Sequence, residues 1–124
     1  MRIYIAGPWD ERDKAREVRN LLRAAGHTVT HAWWDIDVPD QDPVKLRDCA
    51  VDDLRGVLEA DVFILLNLSK SEGKAVETGI ALVAHRAHGL PLIYATGIRN
   101  TNIFHYLPEI EWRDSVEQII EELS

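Results

Sequence analysis

Short apolar stretches alternate with amphipathic stretches along the chain, a pattern typical of strands that alternate with helices. Runs rich in β-formers predict strands at 2–6, 27–32, 61–68, 90–95 and 109–113. Apolar positions at helical spacing predict helices at 10–25, 44–58, 73–88 and 115–123, with Asp10 as the first N-cap and Gly26 as the first stop. Strands that alternate with helices indicate a parallel sheet covered on both faces. At 124 residues the chain is expected to form one domain, 1–124.

Unusual residues follow the ends of the predicted strands. In sheets of this kind, ligands bind beyond the carboxyl ends of the strands. Those ends fall at 7–10, 33–35, 68–74 and 96–102. The sequence therefore predicts a ligand site at this edge of the sheet.

The stretch 60–82 reads as a buried strand, a polar turn and a helix that carries a carboxylate, Glu77, about one turn in. Backbone N–H groups at the start of a helix favour anions. The turn also holds Ser69, Lys70, Ser71, Gly73 and Lys74. A phosphate or sugar oxygen is expected there, beside Glu77, although a glutamate at this position is commonly stabilised by the helix dipole alone.

Three polar groups are expected to converge near this edge: Tyr4 in the first strand, Asp53 in the second helix and Glu77 in the third. Two carboxylates and a tyrosine suit glycosidic chemistry, in which one carboxylate attacks the anomeric carbon and the other serves the leaving group. Each residue also has an ordinary structural interpretation, with Asp53 as a solvated charge and Tyr4 as a core residue.

Composition narrows the class of ligand. The net charge is −7, with 21 acidic and 14 basic residues, which argues against polymeric nucleic acid but leaves open a single nucleotide held in a pocket. No apolar run approaches the roughly 20 residues of a membrane span, so no membrane partner is expected. Cys49 is the only cysteine, which excludes an internal disulfide and favours the cytoplasm. The histidine spacings do not predict a metal site.

Several short motifs occur in order along nearly the whole chain: Tyr4-Ile5-Ala6-Gly7-Pro8, Asp53-Leu54, Ala60-Asp61 and Gly73-x-x-x-Glu77-x-Gly79. Together they resemble the signatures of the nucleoside 2-deoxyribosyltransferase superfamily, which includes the 2′-deoxynucleoside 5′-monophosphate N-hydrolases. The resemblance implies an α/β, flavodoxin-like (Rossmann-like) three-layer sandwich with about five parallel strands. It implies no cofactor and no metal.

The resemblance also implies roles for the three polar groups. Glu77 would form a covalent deoxyribosyl intermediate, Asp53 would serve the departing base, and Tyr4 would lie against the sugar and hold Glu77. Six residues before the nucleophile, the transferases typically carry Asp and the hydrolases Ser. The residue here is Ser71, which favours a 5′-phosphate, and Lys70 and Lys74 point the same way.

The loop after the first strand departs from the hydrolase pattern. The hydrolases tend to follow Gly7 with Ser and an Arg/Gly-rich loop, whereas this chain has Pro8, Trp9, Asp10, Glu11 and Arg12. Pro8 removes a backbone donor and the two acids repel a phosphate, although Arg12 compensates in part. The Gly-Pro opening is more like that of the transferases, so both branches stay open.

Asn102 aligns with a position that reaches into the neighbouring subunit's site in this family. The resemblance therefore implies a homodimer or higher homo-oligomer with the Asn102 region at its interface. Ile103, Phe104 and Tyr106 beside it form either an interface or part of the core.

Trp33, Trp34 and Asp35 leave the second strand at the ligand edge. An indole can stack on a base and a carboxylate can accept from an exocyclic amine, which would favour cytosine or adenine. The alternative is a tryptophan pair that packs the loop onto the core.

The sequence thus predicts a cytoplasmic enzyme of nucleotide salvage that releases the base from a 2′-deoxynucleoside 5′-monophosphate or a deoxynucleoside. Base exchange between deoxynucleosides is the first alternative, and a nucleotide-binding module without catalysis is the second. The expected substrate-binding residues are Gly7, Pro8, Trp9, Arg12, Trp33, Asp35, Ser71, Gly73, Lys74 and Asn102.

Overall fold

Five parallel strands form a single sheet in the computed structural model, which describes residues 1–36, 42–99 and 102–124. The strands are β1 (Arg2–Ala6), β2 (Thr28–Val29), β3 (Val62–Asn67), β4 (Leu92–Gly97) and β5 (Ile110–Trp112). Their order in the sheet is β2-β1-β3-β4-β5, and every neighbouring pair is parallel. This is the flavodoxin-like order, and it confirms the predicted fold.

In the described ranges, four α-helices connect and cover the strands: α1 (Arg12–Ala24), α2 (Pro43–Glu59), α3 (Glu72–His88) and α4 (Val116–Leu123). A side-chain oxygen caps the last three. Asp42 accepts from the Val44 and Lys45 N–H groups, Ser71 from Lys74 N–H, and Ser115 from Gln118 N–H. Within the described residues, none of these helices has the length and apolar character that a membrane span requires.

The predicted start of the first helix is wrong. Asp10 lies inside a 3-10 turn, Trp9–Glu11, and α1 begins only at Arg12, with Glu11 as a cap residue that makes no side-chain cap bond. The 3-10 turn therefore contains residues that were expected to form the start of the helix. At the other end Gly26 has a φ of +90°, which suits the predicted stop.

The second strand is shorter than the predicted 27–32. After Val29 one further backbone bond, from Thr30 N–H to the Ile3 carbonyl, keeps the chain beside β1. The chain then enters a 3-10 turn at Trp33–Asp35, where the Trp33 indole donates to the Ile5 carbonyl at 2.7 Å. Residues 37–41, between the predicted second strand and second helix, and residues 100–101, between the predicted fourth and fifth strands, lie outside the described residues.

Alternate residues of each central strand pack on opposite faces of the sheet. Ile3 and Ile5 join the core beneath α1 and α4, whereas Tyr4 and Ala6 join the core beneath α2 and α3. This alternation places Tyr4 on the side of the sheet that carries the helices of Asp53 and Glu77.

The core interpretation of the Ile103–Tyr106 turn is wrong. Ile103 is 80% exposed, and Phe104 and Tyr106 are each 56% exposed. The turn buries His105 instead, and Asn102 caps it by accepting from Phe104 N–H at 2.7 Å. An oligomer interface at this turn stays a prediction.

Gly56 of α2 lies where no side chain fits. A Cβ there would be 2.9 Å from Tyr4 Cδ2 and 3.0 Å from His31 Cβ, whereas a Cβ on Gly79 of α3 would meet nothing within 4 Å. The absence of a side chain at Gly56 therefore lets α2 approach the sheet at Tyr4.

We expect Gly56→Ala to lower the free energy of unfolding by about 1–3 kcal/mol, because the added methyl group overpacks the Tyr4 ring. Gly79→Ala is the matched control, and we expect it to raise stability by up to about 1 kcal/mol because alanine favours a helix. Urea denaturation of both variants measures the difference. Equal stabilisation by the two substitutions would contradict the close approach of α2 and Tyr4.

Candidate active site

A cavity of about 390 Å³ opens at the carboxyl edge of the sheet, between the β1 end and helices α2 and α3. Most of the predicted site residues line it. They are Gly7, Trp9, Trp33, Asp53, Ser71, Gly73, Lys74 and Glu77. The walls also include apolar side chains, namely Ile36, Ala50, Leu54, Val76 and Ile80.

The surroundings of the Glu77 carboxylate perturb its acidity strongly. Glu77 lies in the second turn of α3, and the Tyr4 hydroxyl donates to its Oε2. Burial raises the pKa of Glu77 to about 7, the Tyr4 hydrogen bond opposes that rise, and Asp53 adds to it. The carboxylate therefore changes charge near neutral pH, as expected for a group that does chemistry.

Tyr4 is held rigidly behind Glu77. Its ring is fully buried and stacks on Phe63, with centroids 5.8 Å apart and the planes 7° from parallel. Gly56 fits closely against the same ring. Burial and the Glu77 charge both raise the pKa of Tyr4, so the hydroxyl stays protonated and stays a donor.

Asp53 is paired with a histidine that the sequence reasoning missed. His31 Nε2 lies 3.3 Å from Asp53 Oδ1, and both residues line the cavity. The Asp53 carboxylate raises the pKa of His31 above 6.5, although burial opposes it. One sequence signal could have found this residue, since His31 lies at the carboxyl end of the predicted second strand (27–32), close to the edge where ligands are expected.

The turn before α3 presents a helix start to the cavity. Ser71 accepts from Lys74 N–H at 3.4 Å, and its hydroxyl proton remains available to a ligand. Glu72 and Gly73 occupy the first helical positions, whose N–H groups have no acceptor within a helix. Lys74 is buried and its ammonium donates to Asn67 and Ser69, so it is not the surface lysine that its position suggests.

Four predicted ligand contacts lie outside the lining of this cavity. Pro8 precedes the 3-10 turn of Trp9, and the Arg12 guanidinium lies over the Trp9 ring at 4.7 Å from its centroid. Asp35 pairs with Arg16 at 3.1 Å. Asn102 lines a second, smaller cavity.

The tryptophan pair has two different environments. Trp34 is fully buried, so for this residue the interpretation as a tryptophan that packs the loop onto the core is correct. Trp33 lines the cavity and packs against Trp9 at 6.2 Å between ring centroids, while its indole N–H is engaged by the Ile5 carbonyl. Its ring thus offers a surface on which a ligand can stack, but no free donor.

Taken together, the site has a carboxylate that titrates near pH 7, a tyrosine that orients it and an Asp–His pair, all beside a helix start. In the described part of the chain, no three His, Cys, Asp or Glu side chains group as metal ligands would. The arrangement suits attack by a carboxylate with proton supply from the paired groups.

Known structures share this fold. A CMP N-glycosidase from Clostridium botulinum, BcmB, is similar over 99% of this chain and 98% of its own, with a TM-score of 0.64 and 19% identity. A 2-deoxyribosyltransferase from Bacillus psychrosaccharolyticus is similar over 97% of this chain and 90% of its own, with a TM-score of 0.71 and 17% identity. At these identities the likeness establishes the fold, and it confirms the fold that the motifs implied. No protein-family model and no curated protein sequence matches the chain.

We expect Glu77→Gln to stabilise the protein more at pH 8 than at pH 5. The pKa of Glu77 is about 7 in the fold against 4.5 ordinarily, so folding favours the protonated form and wild-type stability falls as pH rises between these values. Glutamine removes this loss, which is at most about 3 kcal/mol. Chemical denaturation at both pH values measures it, with Glu59→Gln at the exposed end of α2 as control. Equal effects at both pH values would contradict the burial of an ionisable Glu77.

We expect Tyr4→Phe to raise the pKa of Glu77 above about 7, because the lost hydrogen bond stabilises the charged carboxylate. The carboxyl ¹³C shift of Glu77, assigned by comparison with Glu77→Gln, reports the titration. Tyr106→Phe removes an exposed hydroxyl and serves as the control. A lower pKa in Tyr4→Phe would show that the hydroxyl does not donate to the ionised form.

Proposed function

We propose that this protein is an enzyme of the nucleoside 2-deoxyribosyltransferase superfamily that cleaves the N-glycosidic bond of a 2′-deoxynucleoside 5′-monophosphate or deoxynucleoside. The observation that carries the proposal is the partly buried Glu77, which accepts from Tyr4 and lines a cavity together with Asp53. A protein that only binds a nucleotide does not need a carboxyl group whose pKa is raised to about 7. The two neighbours of known structure, an N-glycosidase and a deoxyribosyltransferase, support the same chemistry.

Glu77 acts as the nucleophile. Its ionised carboxylate attacks C1′, the bond from C1′ to the base nitrogen breaks, and the electron pair leaves with the base. Tyr4 keeps one carboxylate oxygen in place through its hydrogen bond, which orients the other oxygen for attack. Water then attacks C1′ of the covalent intermediate, which frees Glu77 and the sugar.

The Asp53–His31 pair serves the base. A raised pKa keeps more of His31 protonated at neutral pH, and Asp53 beside it stabilises that charge. The pair thus provides a proton for the departing base and then accepts one from the attacking water. Trp33 offers its ring face to the base, in line with the stacking role expected of it.

The start of α3 is the proposed place for the 5′-phosphate. Ser71 and Glu77 are six residues apart, or about 9 Å along a helix axis, a length that a sugar and its phosphate span together. The Ser71 hydroxyl and the open N–H groups of Glu72 and Gly73 donate to phosphate oxygens. These contacts favour a monophosphate over a free nucleoside.

Base exchange is the second candidate function, and the apolar part of the cavity wall favours it. Leu54, Val76 and Ile80 line the cavity along with Glu77. An apolar wall limits the access of water to the intermediate and so leaves time for a second base to attack.

We also propose the expected domain organisation, location, cofactor requirement and oligomeric state. The chain is one deoxyribosyltransferase-like domain, acts in the cytoplasm in nucleotide salvage and needs no cofactor. It forms a homodimer or higher homo-oligomer, and the exposed Ile103, Phe104 and Tyr106 next to Asn102 offer an apolar surface for that interface.

We expect the purified protein to release free base from at least one of the four common 2′-deoxynucleoside 5′-monophosphates or their nucleosides, measured by chromatography. Glu77→Gln and Asp53→Asn should each reduce the rate at least about 100-fold, because they remove the nucleophile and the partner of the proton donor. Glu59→Gln, an exposed position outside the lining of the cavity, should retain the wild-type rate.

Addition of a different free base separates the two candidates, since a new nucleoside forms only if the base captures the intermediate. Tight binding of a monophosphate with no base released from any substrate would instead identify a non-catalytic nucleotide-binding module. Undiminished activity of Glu77→Gln would exclude Glu77 as the nucleophile.

A further inference from the structure

Lys74 is a buried cation whose hydrogen-bond partners are neutral. Its residue surface is 3% exposed. The ammonium donates to Asn67 Oδ1 at 2.9 Å and to the Ser69 carbonyl. An amide oxygen and a peptide oxygen satisfy two of its three N–H donors, but neither carries a charge.

No carboxylate forms an ion pair with Lys74 within residues 1–36, 42–99 and 102–124. Glu72 is two positions away on α3 and still forms no ion pair with it. Burial lowers the pKa of Lys74, and the charge of Glu11 opposes this shift only in part. Buried charges in proteins are normally paired, so the free protein lacks a counter-ion that this site can hold.

The position of Lys74 indicates where that counter-ion would lie. Lys74 and Ser71 line the main cavity and also the second cavity of about 220 Å³, which Asn67, Asn102 and His105 help to enclose. The two cavities therefore meet at the start of α3. An anion bound there would neutralise the ammonium and accept from Ser71 at once.

We propose that Lys74 is a specificity-determining residue, whose buried charge selects substrates with a phosphate at the start of α3 over the same substrates without one. The inference rests on the proposed function, because it assigns the phosphate to the cavity that holds Glu77. The exposed Lys70 lies in the same turn but is screened by solvent, so it contributes little to the selection.

The first test is equilibrium binding of 2-deoxyribose 5-phosphate and of 2-deoxyribose, measured by calorimetry, which needs no turnover. The wild type should bind the phosphate form at least about tenfold more tightly, because a hydrogen bond to a charged group contributes a free energy of this size. Lys74→Met should weaken binding of the phosphate form about 10- to 100-fold and leave the neutral sugar within about twofold. Lys70→Met, the matched control, should stay within about twofold for both.

Lys74→Gln is the second charge-free variant, since its amide can still donate to Asn67 and Ser69 if the methionine variant does not fold. Equal affinity of the wild type for the two sugars would overturn the inference. Loss of both ligands together would do so as well, because a purely structural lysine would produce it.

The second test compares kcat/KM for a monophosphate with kcat/KM for its nucleoside. Lys74→Gln should lower the ratio of the two values by at least about tenfold, whereas Lys70→Met leaves it unchanged. An unchanged ratio in Lys74→Gln with activity retained would refute the role of Lys74 and spare the proposed function. Absence of turnover with every substrate would refute the proposed function, and the binding measurements would still decide the role of Lys74.

Discussion

The hydrogen bond from Tyr4 to Glu77 is the contact on which the organisation of this site depends. It joins Tyr4, the third residue of β1, to Glu77 of α3, 73 positions later in the chain, and the burial of Tyr4 strengthens it. Because the donor is a tyrosine whose pKa burial raises, the hydroxyl cannot lose its proton to the carboxylate. The surroundings therefore separate the pKa values of Tyr4 and Glu77, and of these two groups it is Glu77 that titrates near neutral pH.

The start of α3 combines a structural role with a proposed functional one. Ser71 caps the helix, and the Lys74 ammonium fastens the preceding turn through Asn67 and Ser69. These are contacts that any well-formed helix start could use. This helix start differs from an ordinary one because the Lys74 ammonium is buried without an ion-pair partner. The cavity therefore has a positive charge beside the backbone N–H groups of the helix start. A carboxylate at one end and an anion site at the other would define the length and the polarity of a ligand.

The structural neighbours and the local geometry contribute different information. Fewer than one residue in five is identical to either neighbour, so the likeness establishes the flavodoxin-like fold, on which many unrelated activities are built. The chemistry has to be argued from the site. There the two carboxylates of the cavity, the tyrosine that donates to one of them and the apolar wall are the features on which the proposed glycosidic chemistry rests. His31 adds a titratable group beside Asp53.

The sequence by itself determined the order of strands and helices along the chain and the sheet edge at which the cavity opens, because the spacing of apolar residues and the helix caps are local signals. Its short motifs also singled out Tyr4, Asp53, Glu77 and Ser71. It did not predict the late start of α1, where a 3-10 turn replaced the cap at Asp10. Nor did it show that His31 pairs with Asp53 or that α2 needs Gly56 beside the Tyr4 ring. Those features, and the burial that raises one carboxyl pKa and isolates the charge of Lys74, arise between residues far apart in the chain, so only the packed tertiary structure decides them.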